Sequence, residues 1–196
     1  MNPVILMRYG KIVALIAILF VAAPPLASAA TGNANFFLGL KAMNDGDWEP
    51  LEDQGEFGAE ITFGRNQWPV LIAIDVLSSA DDDTVSGIDF DASTSELDLG
   101  VRKIWELNRV RPYVGGGVAF VSAELEGDSG GVTITDDDES IGAWVGGGVF
   151  WRIGTRFNIG AAVRYSKAEV TIFDTDVEAG GWHFGMLAGW GWPAYK

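Results

Sequence analysis

Val114-Gly-Gly-Gly-Val118 recurs as Val145-Gly-Gly-Gly-Val149, and a polar stretch, Gly127-Asp-Ser-Gly-Gly131, lies between the copies. Their midpoint falls at Gly131 and Val132. A turn there makes the copies opposing strands of one antiparallel hairpin, with Gly116 facing Gly147. Directly opposed residues share a face, and successive residues alternate between faces. On one face Pro112 then meets Trp151, Val114 meets Val149, Val118 meets Val145 and Phe120 meets Ala143. On the other, Tyr113 meets Phe150, Gly115 meets Gly148, Gly117 meets Gly146 and Ala119 meets Trp144. The first face is apolar and the second is mostly small. Which way the apolar face looks decides the fold.

The same two-residue period returns along the chain in runs of about ten residues, the length of a strand that crosses a bilayer. Residues 34–43 set Ala34, Phe36, Leu38, Leu40 and Ala42 against Asn35, Phe37, Gly39 and Lys41. Residues 55–64 set Phe57, Ala59, Ile61 and Phe63 against Glu56, Gly58, Glu60 and Thr62. Residues 70–79 set Val70, Ile72, Ile74 and Val76 against Leu71, Ala73, Asp75 and Leu77. A fourth run sets Leu97, Leu99 and Val101 against Glu96, Asp98, Gly100 and Arg102. After the glycine-triplet hairpin, Phe157, Ile159, Ala161, Val163 and Tyr165 oppose Asn158, Gly160, Ala162, Arg164 and Ser166. The last run, 180–192, carries Trp182, Phe184, Met186, Ala188, Trp190 and Trp192 on one face. Eight strands result, joined by long and short connections in alternation.

In a soluble barrel the apolar faces would have to fit inside. Eight strands enclose only a modest lumen, too small for so many large side chains. Aromatic residues also gather at the strand ends, as in interfacial girdles. The inverted arrangement follows: an all-β, eight-stranded, antiparallel, up-and-down transmembrane β-barrel, apolar toward lipid and polar within. The short connections collect Arg65, Lys103, Arg109, Arg111, Arg152 and Arg156, while the long ones, including 44–54 and 80–94, collect most of the acids. Short periplasmic turns and long external loops are the layout of an outer-membrane barrel.

The N-terminus agrees. Arg8 and Lys11 precede a 12-residue apolar run, then Pro24-Pro25 and Ala27-Ser28-Ala29. That order reads as a signal peptide over residues 1–29, leaving 30–196 as one barrel domain. The apolar run is short of the ~20 residues a membrane helix needs. With no cysteine there is neither a disulfide nor a lipid-bearing cysteine. The chain has 27 Asp and Glu against 13 Lys and Arg, two of the latter in the leader, which excludes nucleic acid as a natural partner.

Arg111-Pro-Tyr-Val-Gly-Gly-Gly-Val118, Ala143-Trp-Val-Gly-Gly-Gly-Val-Phe-Trp-Arg152, Phe157-Asn-Ile-Gly-Ala-Ala-Val-Arg-Tyr165 and the aromatic last strand resemble the small outer-membrane β-barrels of the OmpA-like and OmpX-like family. The resemblance implies a monomer in the outer membrane of a diderm bacterium. Its partners would be outer-membrane lipid, lipopolysaccharide and the insertion machinery that reads the last strand. It leaves function open, because the family includes stabilisers, adhesins, narrow pores and enzymes.

Three groups of residues carry candidate chemistry. Lys41, Glu56, Glu60, Asp75, Glu96, Asp98, Arg102 and Arg164 face inward and form a lumen charge network, read as a salt-bridge plug with a narrow solute path as the alternative. Gly115, Gly117, Gly146 and Gly148 leave a hollow bordered by Tyr113, Trp144 and Phe150, filled by a packed side chain or holding a small ligand. Asp45-x-Asp47-x-Glu49 and Asp174-x-Asp176-x-Glu178 put three carboxylates on one side of an extended chain, so Ca²⁺ or Mg²⁺ is a possible ligand, with a solvated acidic rim the favoured reading. The lone His183 has no Ser and acid at a recognisable motif spacing, so no catalytic residue is assigned and the protein reads as a non-enzyme.

Overall fold

The structure is a computed structural model and describes residues 31–192. Residues 1–29, read from the sequence as a leader, and the final Pro193-Ala-Tyr-Lys196 lie outside the described residues. Eight strands close into one antiparallel barrel: β1 (Thr31–Ala42), β2 (Asp53–Gly64), β3 (Leu71–Val85), β4 (Ile88–Ile104), β5 (Val110–Ser129), β6 (Val132–Ile153), β7 (Phe157–Lys167) and β10 (Gly181–Trp192). A one-turn helix, α1 (Asp45–Trp48), sits in the first external connection, and a small hairpin, β8 (Glu169–Ile172) with β9 (Thr175–Glu178), sits in the last. Neighbours in sequence pair in space, and β10 closes onto β1 across Leu38↔Met186 and Lys41↔His183. No helix among the described residues is long and apolar enough to cross a membrane; the strands do the crossing.

The outward face is apolar. Leu38, Leu40, Ile141, Val145 and Met186 are each more than half exposed, a cost in water and a match for lipid. At the short-turn end Phe157 and Trp190 meet edge to face at 6.1 Å, and at the other end Tyr165 and Trp182 approach to 5.1 Å. These pairs form parts of two girdles, where an amphipathic ring suits the headgroup level.

The hairpin differs from its sequence reading in register. Gly116 faces Val145 and Val114 faces Gly147, so the pairing is offset by two residues from Gly116 opposite Gly147. The cause is the turn. Gly130 and Gly131 both have positive φ, +62° and +87°, the two-residue type I′ geometry that suits strand twist, and this places the centre one residue earlier. Because the offset is even, every side chain keeps its face. The inward pairs become Gly115 with Gly146, Gly117 with Trp144 and Tyr113 with Gly148.

Two of the expected long loops are strands. Residues 80–94 form the upper part of the β3–β4 hairpin around a two-residue turn, Ser86 (φ 55°) and Gly87 (φ 83°). β5 and β6 likewise run on to Ser129 and Val132. The four strands therefore continue beyond the apolar belt as one sheet. On its outer face lie Asp82, Asp91, Glu126 and Asp128, with Asp82 opposite Asp91 and Asp91 opposite Glu126. Like charges set directly opposite are destabilising, and Asp91 answers with a raised pKa. Its causes are partial burial first, then the neighbouring carboxylates Asp82, Glu126 and Asp89.

Candidate functional site

The interior is built in layers. All eight charged residues named from the alternation are inward and buried, Lys41, Asp75 and Asp98 completely. They fall into two groups. In the lower one, Arg102 reaches from β4 to Thr62 (2.9 Å), Asp75 (2.7 Å) and Glu60 (3.4 Å). Arg164, on β7, donates to Asp98, to Asp75 and to Glu60 (3.2 Å). Strands far apart around the wall are thus tied across the lumen by two guanidinium forks. Arg suits this role because its planar donors address several carboxylates at once.

The upper group centres on Lys41 and His183, opposite each other on β1 and β10. Lys41 Nζ donates to Thr94 Oγ1 and to the Ala179 carbonyl, both at 2.8 Å, with Glu96 at 3.8 Å. Ser79 links Thr94 (2.7 Å) to Gln54 (2.6 Å). His183 lies between Glu56 on its Nδ1 side (2.8 Å) and Ser166 on its Nε2 side (3.0 Å), and Ser166 donates to Glu96 at 3.0 Å. Sequence reasoning found no partner for His183 because Ser166 and Glu56 stand 17 and 127 positions away. Strand parity was the usable signal, since all three are inward on their strands. The acid–His–Ser order has no substrate access: Ser166 is fully buried, and the void that reaches His183 measures about 10 Å³, about one water at most.

The glycine hollow is occupied by its own border. The Trp144 ring lies over Gly115, where an added Cβ would stand 3.1 Å from the indole, and Tyr113 takes the space above Gly148 at 2.8 Å. Tyr113 and Phe150 approach to 6.1 Å and pack with Phe37, Leu77 and Leu187. The guanidinium of Arg102 stacks on Tyr113, and that of Arg164 on Trp144, each 4.8 Å from the ring centroid. Glycine is required at Gly117, where a Cβ would sit 2.1 Å from the Leu99 carbonyl. The cation–π stacks tie the hollow to the charge network.

Above both groups the external end is covered. Met43, Trp48 and Leu51 from the first connection pack with Val170 and Ile172 of the small hairpin and with Ala92, Val121 and Ala123 of the wall. The indole of Trp48 donates to the Glu178 carbonyl at 2.8 Å, and Thr171 N donates to Asp138 Oδ2 at 2.8 Å. At the opposite end Arg152 reaches Asn158 (2.6 Å) and Asn33 (2.7 Å), and a cavity of about 400 Å³ opens between β1, the 65–70 turn and β4.

The first trio of loop carboxylates is placed differently from its sequence reading, whereas Asp176 and Glu178 share one side of the extended β9. Asp45 and Asp47 lie on α1, where roughly 100° per residue turns them to opposite sides instead of one extended side. Asp47 accepts from Glu178 N (3.0 Å), Asp176 from Thr171 Oγ1 (2.9 Å) and Glu178 from Ala168 N (2.9 Å), so three of the six carboxylates hold the cap together. Asp174 occupies the β8–β9 turn at φ 60°, and Glu49 follows α1. Among the described residues no three His, Cys, Asp or Glu side chains gather as a metal site.

The cap has a pH sensitivity with a definite sign. Asp138 holds its proton less tightly than usual because the backbone N–H groups of Thr171 and Glu139 donate to its carboxylate. A depressed acid stabilises the fold above its unfolded value, ~4, and loses that contribution as pH falls through the folded value. Asp91 has the opposite sign: its repulsion acts at neutral pH and is relieved on acidification, earlier than Asp138 is lost. Hydrogen exchange at the Thr171 amide is expected to speed up between pH 4 and pH 2 beyond the chemical rate, and Asp138→Ala should show the faster rate already at pH 6. Equal protection in both proteins would remove Asp138 from the cap.

Residues 13–190 match the family described as outer membrane protein beta-barrel domain. No curated protein matches in sequence. Among solved structures the fold is shared with Neisserial surface protein A, NspA, at 18% identity and TM-score 0.50, covering 84% of this chain and 96% of that one. It is also shared with Ail, the attachment invasion locus protein of Yersinia pestis, solved with the heparin analogue sucrose octasulfate, at 17% identity and TM-score 0.54, covering 83% and 97%. With its closed eight-stranded wall and its match over most of the sequence, the chain belongs to the outer membrane protein β-barrel domain family and resides in the cell outer membrane.

Proposed function

We propose that this protein is a plugged barrel with a structural or surface-interaction role, exported by its N-terminal leader and inserted as a monomer among lipid and lipopolysaccharide by the outer-membrane insertion machinery. The observation that carries this reading is the layered interior: two cross-lumen ion-pair groups beneath an apolar cap, with a void of about 10 Å³ where the layers meet. Removing either charge sign from such a network strands the other in a low dielectric, so the plug resists opening. The sheet that rises above the belt supplies the contact surface. Its outer face carries Asp82, Asp91, Glu126 and Asp128, which disfavours polyanions of the kind found with Ail.

The competing reading is a narrow pore for ions or small solutes, favoured by the cavity of about 400 Å³ at the short-turn end. Planar-bilayer recording separates the two. The plugged barrel is expected to give no resolved current steps at neutral pH in molar salt. Reproducible steps from refolded, heat-modifiable protein would establish the pore. A lipid-modifying enzyme is the remote third reading; loss of a lipid A-modifying activity in His183→Ala would be required for it.

A further inference from the structure

The sheet that rises above the apolar belt has a second face. Its inner side continues the lumen-facing side of β3 to β6 and never meets lipid, yet its upper rows are apolar. Val85 pairs with Ile88 at the β3–β4 turn. Phe90, Gly127 and Ile134 stand in one row across β4, β5 and β6, with Val132 above Ile134. A Cβ on Gly127 would stand 3.4 Å from the Phe90 ring, so the ring leans over the glycine. Phe90 and Leu125 rest on the cap below, whereas Val132 (66% exposed), Ile134 (60%) and Val85 (41%) stand open to water. Phe173, also half exposed at the tip of the small hairpin, is held beside this patch by its backbone N–H, which donates to Asp136.

A contiguous apolar patch in water marks a contact site, and charge decides its occupant. Asp81 and Asp83 flank the patch at the β3 edge, and Asp136 flanks it at the β6 edge. The chain has no Lys or Arg from residue 66 to 101 or from 112 to 151, so the rising parts of the four strands carry acid and no base. A second copy of the chain, or a polyanion, would set like charges against these edges. A neutral apolar ligand would cover the patch and leave its acids unmatched. A basic helix answers both demands. The patch spans three strand spacings of about 4.8 Å, about 14 Å in all, against a helix diameter of about 10–12 Å. An apolar stripe at i, i+3, i+4 and i+7 covers Phe90, Val132 and Ile134, and Lys or Arg beside that stripe reaches the edge acids. We propose that the inner face of the rising sheet docks a cationic amphipathic helix of another polypeptide. This names a partner class for the surface-interaction role proposed above and rests on that reading.

The test uses the refolded full-length mature chain in phosphatidylcholine nanodiscs, whose lipid has no net charge to attract the probe. The probe is a fluorescently labelled Leu/Lys peptide of about 18 residues, about five helical turns, with its leucines on one face. Anisotropy is read against empty discs, and saturation at one peptide per barrel is expected. Affinity should fall at least fivefold in Val132→Thr/Ile134→Thr, which keeps β-branched side chains on exposed positions. A similar fall is expected in Asp81→Asn/Asp83→Asn, and for a peptide of equal composition with its leucines scattered around the helix. Each variant should keep the parent's heat-modifiable gel mobility, showing that the barrel is intact. Binding no greater than to empty discs, undiminished affinity in the threonine variant, or equal affinity for the scattered peptide would overturn the proposal. Bilayer recording judges the plug independently, so a silent barrel that binds no peptide loses this site and keeps the plugged reading.

Discussion

Arg164→Met is expected to lower the unfolding free energy in detergent by about 3–5 kcal/mol, the cost of breaking a buried ion pair by deleting one partner. Among the described residues Arg164 is the single cation that touches Asp98, Asp75 and Glu60 together. Methionine fills much of the volume, so the loss reports the carboxylates left without their guanidinium. The network already holds five carboxylates against Lys41, Arg102 and Arg164, and the variant widens that imbalance. Arg164→Lys should recover only part of the loss, because a point ammonium cannot address three acids from one position. Adding Asp75→Asn and Asp98→Asn to Arg164→Met should restore more than half. Denaturant titration followed by the folded-band mobility measures all four proteins. A cost below about 1 kcal/mol for Arg164→Met, in the range of an exposed pair, would mean that the lumen is wet and the plug reading wrong.

Trp144→Ala should cost a similar amount, about 3–5 kcal/mol for an aromatic-to-alanine change in a packed site. The side chain is 4% exposed, covers Gly115 and carries the Arg164 guanidinium on its face. Among the described residues its indole N–H has no hydrogen-bond partner, so packing and the cation–π contact account for the loss. Trp144→Phe keeps a ring under Arg164 and is expected to cost less than half as much. The alanine variant also opens the hollow beside Gly115 and Gly146. Added indole should therefore raise its unfolding midpoint and leave that of the parent unchanged. Equal losses in the two variants would assign Trp144 a hydrogen-bonding role that the structure does not contain.

Much of this was legible from alternation alone. Asp75 lies between Ile74 and Val76, and Asp98 between Leu97 and Leu99; no outward placement of those carboxylates survives contact with lipid, so each inward residue followed from its neighbours. The two acidic connections misled for the complementary reason. Above the belt both faces meet water, so Asp81 to Asp83 and Asp136 to Asp138 carry no apolar period and look like loop while hydrogen-bonding as strand. Register was illegible by two residues because a midpoint rule cannot tell which two glycines take positive φ.

The sequence by itself determined which side of every wall strand faces lipid, how many strands the wall has and which end is basic. Those properties are local, set by a period of two and by the cost of placing charge in hydrocarbon. Only the tertiary structure decided who meets whom across the lumen: Arg164 with three acids from three other strands, Ser166 with His183, and the small hairpin with Trp48. Closure of the barrel brings these groups together from positions up to 130 residues apart. Such contacts depend on register, turn geometry and side-chain reach at once, and no stretch of chain shorter than the whole wall contains that information.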